Sequence, residues 1–224
     1  MKHFLVIVIL ALLLTACESI EPTVPVGSIT VQYTNAASPW LSELSACAGD
    51  MTVNAVPRAA NLIDPQSADM AIVIGSTPGR NSNAYQIDEE ELMVILNAQN
   101  PVKSLTTEQA RDLFTGLIKS WDAVGGLDAP VEVWVFSPGD DIQQIFVITF
   151  LAGSAVTSDA RLATSMEEMR QAIAGNINAV GILTHRWTMD DLTTAFSISG
   201  LPVLVLTQGD PLESIHWIIS CLQR

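Results

Sequence analysis

Short apolar, β-favouring runs alternate with segments of helical period along most of the chain, and this alternation leaves few folds open. Strands are expected at 28–33, 51–56, 69–74, 92–97, 131–136, 179–183 and 201–206. The run at 69–74 is almost wholly apolar, as a strand covered on both faces must be. Helices fill the gaps. Ser38-Pro39 supplies an N-cap and a first-turn proline for a helix to about Cys47. Thr106 and Gln109 have capping-box spacing, and Ala110, Leu113, Phe114, Leu117, Ile118 and Trp121 then share one helical face up to Gly125-Gly126. Further helices are expected at 142–151, from the Ser165/Glu168 capping pair to about Ala174, and at 213–222. The pattern is that of an α/β protein with mostly parallel pairing and no internal repeat.

The N-terminus reads differently. Lys2 and His3 precede an apolar run at 4–14 that ends in Leu14-Thr15-Ala16-Cys17, a signal peptide with a lipobox. The run falls well short of the roughly 20 residues a transmembrane helix needs. Residues 1–16 are expected to be removed and Cys17 to carry lipid, two or three acyl chains together giving stable anchorage. Residues 17–26, with Pro22 and Pro25, read as a semi-extended tether. The expected location is extracytoplasmic, on the outer face of the cell membrane or in the periplasm.

Twenty-four acidic against ten basic side chains give a formal charge of −14, and no Lys/Arg cluster exists that could grip nucleic acid. With Cys17 lipidated, Cys47 and Cys221 remain, to be joined in a disulfide or buried as free thiols. His185 and His216 stand in no metal-ligand spacing, so neither metal nor cofactor is expected. No catalytic residue is assigned, since neither a G-x-S-x-G nor a phosphate-loop motif occurs.

One segment carries a more specific signal. Asn100-Pro101-Val102, then Leu105-Thr106 with Gln109, Phe114-Thr115-Gly116, Trp121 and Gly125-Gly126, resembles the phosphate-binding proteins of bacterial ABC importers. Ala68-Asp69-Met70-Ala71-Ile72 and Ala179-Val180-Gly181-Ile182 are similar to two further steps of that family's pattern. The resemblance implies a periplasmic-binding-protein fold of the second type: two α/β lobes, a hinge of two crossing strands, and a ligand held between. It implies lobe one at 27–95 plus 202–224 and lobe two at 96–201, with Cys47 and Cys221 in one lobe. It also implies a monomer that delivers a small phosphate-like anion or another polar solute to importer membrane subunits, without catalysis.

In such a fold an anion is held by amide groups at helix N-termini and by short hydroxyl side chains. Three loops offer that chemistry: Thr34, Asn35 and Ser38; Gly75, Ser76 and Thr77; and Ser137, Gly139 and Asp140. The family's arginine after the second-lobe strand is replaced by Phe136, followed by Ser137-Pro138-Gly139-Asp140-Asp141. The two carboxylates are expected to cap the following helix themselves. Arg58, Arg80 and Arg186 are the candidates to replace the missing cation, and Trp187 either lines the cleft or packs. The rival to a transport role is a ligand-free or sensing relative of the same fold, acting as a protein-interaction module, with a hydrolase third.

Overall fold

The computed structural model describes residues 27–75, 82–188 and 190–224. The expected signal peptide, the tether with Cys17, and Ser76, Thr77 and Arg80 lie outside the described residues. The first strand, β1 (Ser28–Tyr33), pairs in parallel with β2 (Thr52–Pro57) and with β3 (Met70–Ile74). Two long strands follow the same sheet across the molecule, β4 (Ser82–Asn97) and β8 (Leu192–Gln208). They pair with each other antiparallel over nearly their whole length, with register shifts near Asp88, Leu92 and Ile95. On the far side β7 (Ala179–Thr184) pairs with the second half of β4, and β5 (Glu132–Val135) bridges β7 to β6 (Arg161–Leu162). The eight-stranded order is β2-β1-β3-β8-β4-β7-β5-β6. Among the described strands, antiparallel pairing is confined to the two crossing strands and their neighbours, which divides the α/β fold into two lobes.

The first lobe carries helices α1 (Leu41–Ala48) and α5 (Glu213–Leu222), joined by a disulfide between Cys47 and Cys221 with their Cα atoms 5.8 Å apart. The second lobe carries α2 (Thr107–Thr115), α3 (Asp141–Ile145) and α4 (Met166–Gly175). No helix among the described residues is long and apolar enough to cross a membrane.

Local chemistry corrects three expectations. Residues 35–40 form a tight 3₁₀ turn before α1, so Ser38 lies inside that turn, donating to the Asn35 carbonyl at 2.9 Å, and caps nothing. The Thr106 capping box forms, but α2 stops at Gly116, whose φ of 77° turns the chain out of the helix, and Trp121 belongs to a separate 3₁₀ turn. The segment after α3 widens into a π-helical turn at Phe146–Phe150. Phe146 and Phe150 lie in an aromatic row with Phe114 and Phe196, centroids 4.6 to 5.1 Å apart, which fixes α3 against the second-lobe core.

The family-like segment serves this scaffold. The Asn100 amide donates to Ile177 O and its carbonyl oxygen accepts from Val102 N, while the Trp121 indole donates to Asn178 O. A Cβ on Gly126 would stand 2.9 Å from the Trp121 carbonyl oxygen, so the glycine is what lets the turn close.

Candidate functional site

The ends of β1 and β2 face the turn after β5 across a cleft of about 390 Å³. Thr34, Asn35 and Pro57 to Ala60 line the first-lobe wall; Phe136, Ser137, Asp140, Asp141 and Leu162 to Thr164 line the second. Four of the sequence-selected residues therefore meet in one cavity: Thr34, Asn35, Ser137 and Asp140. Ser38 does not line it. Gly75 borders an adjoining cavity of about 550 Å³, and Gly139, which lines neither cavity, accepts through its carbonyl a hydrogen bond from Ala60 N at 3.0 Å.

The second-lobe turn is built around carboxylates. The Asp140 amide donates to Ser137 O, and the Gln143 side chain accepts from Phe136 N, which fixes the turn against the end of β5. Asp140 is the N-cap of α3, its Oδ1 accepting from Ile142 N at 3.0 Å and Gln143 N at 3.3 Å. Asp141 reaches across the cleft: its Oδ2 accepts from the Thr34 hydroxyl at 2.5 Å and from Ile74 N at 3.3 Å. Burial pushes the Asp140 carboxyl up to about 7, helped by the neighbouring Asp141 charge and opposed by the capping amides of Gln143 and Ile142. Burial likewise raises Asp141, against the pull of Thr34 and the Ile74 and Ile142 amides. The α3 amides of Ile142 and Gln143 are thus occupied by the chain's own acids.

A cation is nevertheless present. Arg58, at the end of β2, lines the cavity and makes no salt bridge among the described residues. Its amide donates to Tyr33 O, which holds the residue at the mouth of the first lobe. Arg186 is committed elsewhere, to Glu43 and Asp88. Trp187 packs against the core, away from the cleft, its buried indole N–H without a partner among the described residues. Sequence reasoning did not foresee Leu162 to Thr164 as cleft residues, because β6 is two exposed residues with no strand signal.

The lining offers a guanidinium, an amide, hydroxyls and two carboxylates, a set with the donors and acceptors to hydrogen-bond a polar solute. No family model matches the chain. The phosphate-binding protein PstS of Bacillus subtilis (strain 168) is 25% identical over 117 residues, which is 52% of this chain and 39% of that relative. The matched stretch thus spans well under half the length of the curated relative. A Clostridium perfringens protein solved with bound phosphate, and assigned as a phosphate ABC transporter substrate-binding protein, superposes with a TM-score of 0.78 at 20% identity. That match covers 88% of this chain and 93% of the other. The fold is the type II periplasmic-binding-protein fold. An ABC-type phosphate transport receptor from Vibrio cholerae shares this type II fold at a TM-score of 0.67 and 19% identity, covering 88% and 93% of the two chains. Regulatory domains share it too: the CcmR domain of Synechocystis, in complex with 2-PG, gives a TM-score of 0.65 at 16% identity, covering 88% and 96%.

Proposed function

We propose that this chain is a non-enzymatic solute-binding protein of an ABC importer, carrying a phosphate-like oxyanion between its lobes. The observation that carries this reading is Arg58, a guanidinium free of salt bridges among the described residues and lining the interlobe cavity with Asn35 and Ser137. It supplies from the first lobe the forked, permanently charged donor that the second-lobe turn lacks. The phosphate-binding relatives support the same ligand class. In this reading lobe one comprises residues 27–95 with 202–224 and lobe two 96–201, moving about the crossing strands. Lipid on Cys17 tethers a monomer to the outer face of the membrane, where importer membrane subunits collect the solute.

Isothermal titration with phosphate, sulfate and molybdate tests it. Phosphate should bind wild type, and Arg58→Gln should weaken it about tenfold or more, the scale of a lost charge-assisted pair. Binding that survives R58Q unchanged would place the solute elsewhere.

A second reading follows from the carboxylates: with the α3 amides already occupied, the fold could act as a sensing or protein-interaction module. The regulatory-domain neighbour supports it. A melting temperature unmoved by every anion selects this reading, since a ligand of the native state must raise it.

A further inference from the structure

A hinged cleft closes when something engages both lobes at once. Here a side chain of the protein does so. Asp141 belongs to the first turn of α3 in the second lobe, and its Oδ1 accepts from Ile142 N of that helix at 3.0 Å. Its Oδ2 accepts from two first-lobe donors, the Thr34 hydroxyl and Ile74 N. The carboxylate, 5% exposed, therefore stands between a helix N-terminus and the opposing loops, where a bridging oxyanion would make the same bonds. Ala60 and Asp141 are shared by the walls of the two interlobe cavities, so both stand at the partition between them.

We propose that Asp141 is a tethered substitute for the solute, bridging the lobes and keeping the cleft closed when no solute is bound. Being part of α3, the carboxylate is held at high effective concentration and needs no association step. Among the described residues other bonds join the lobes without it: at the cleft, Ala60 N to Gly139 O at 3.0 Å and the Asn35 side-chain amide to Thr164 O at 3.1 Å, and beside the crossing strands the Arg186 pairs with Glu43 and Asp88. These report closure independently of the bridging carboxylate. The inference rests on the two-lobe fold and does not require that phosphate be the solute.

Hydrogen exchange at the Ala60 amide, read on the full chain in phosphate-free buffer, tests it. Wild type should protect this amide with or without phosphate. Asp141→Ala should expose it about tenfold faster, although neither Ala60 nor Gly139 is altered. Asp141→Asn keeps the volume but turns an amide N–H₂ toward at least one of the three donors, so it too should exchange faster; it carries the test if D141A does not fold. Equal protection at Ala60 in wild type and in the folded variant overturns the proposal. So does a wild-type Ala60 that is unprotected until phosphate is added, a result that would support phosphate carriage while removing the bridging role of Asp141.

Discussion

The Arg186 guanidinium lies 4.2 Å from the centroid of the Trp40 ring, a second-lobe cation on a first-lobe indole. Its nitrogens also meet Glu43 at 2.7 Å and Asp88 at 2.6 Å, and the Trp40 indole donates to the same Asp88 oxygen. Burial raises the Asp88 carboxyl, but the Glu89 amide, the Trp40 indole and Arg186 outweigh it and leave the group below its ordinary range. The cluster ties the turn after β7 to α1 beside the crossing strands. Arg186→Gln should cost about 1–2 kcal/mol, read as a lower urea midpoint with an unchanged slope. A midpoint equal to wild type would show that these pairs contribute nothing.

The disulfide closes a loop of 174 residues, although both of its cysteines belong to the first lobe. Replacing both cysteines, C47S with C221S, should lower stability by about 3–5 kcal/mol, the upper figure being the chain-entropy limit. Solute affinity should not change, because α1 and α5 pack behind the sheet and neither cysteine lines the cleft. A large loss of affinity with little loss of stability would contradict this assignment.

Asp140 makes stability depend on pH in a definite sense. Its carboxyl rises from an ordinary 3.8 to about 7 on folding, so between those values the folded protein holds a proton that the unfolded chain has released. Stability therefore falls as pH rises through that window and levels off above it. Asp141, also raised, acts in the same direction. The opposite contribution of Glu167, lowered from 4.5 to about 2 by Arg170 and Gln171, lies at more acid pH. Asp140→Asn keeps an N-cap acceptor, so it should flatten the decline between pH 5 and 8; denaturant midpoints at both pH values for both proteins decide it.

Gly181 sits in the middle of β7 where α4 crosses. A Cβ there would stand 2.5 Å from Met169 Sδ and 3.0 Å from Ile173 Cδ1, so the missing side chain is what lets the helix lie on the strand. Gly181→Ala should cost about 1–3 kcal/mol through overpacking. Gly175, at the end of α4, has nothing within 4 Å of its would-be Cβ, and G175A should stay within about 0.5 kcal/mol of wild type. Thermal melts of the two variants side by side make the comparison, and equal midpoints would refute the packing argument.

Several elements were legible because their signals are local. The first strand and the last helix have the expected bounds, and the Thr106 box forms from residues three apart. The crossing strands were read only as 92–97 and 201–206, which are their buried parts. The remainder includes the polar stretch Gln86 to Glu91, which gains strand structure by pairing with β8 and has no β-pattern of its own. The family-like segment at 100–126 was the clearest motif, yet its asparagine, tryptophan and glycine hold the second-lobe scaffold away from the interlobe cavity.

By itself the sequence determined the α/β alternation, the resemblance and the loops that supply Thr34, Asn35, Ser137 and Asp140, because propensity, capping and turn chemistry act over a few residues. Only the tertiary structure decided that, among the described residues, Arg58 rather than Arg186 stands at the cleft, and that Asp141 reaches Thr34 from 107 positions away. Those outcomes depend on which strand ends the crossing pair brings face to face, a relation between distant segments that no short-range pattern encodes.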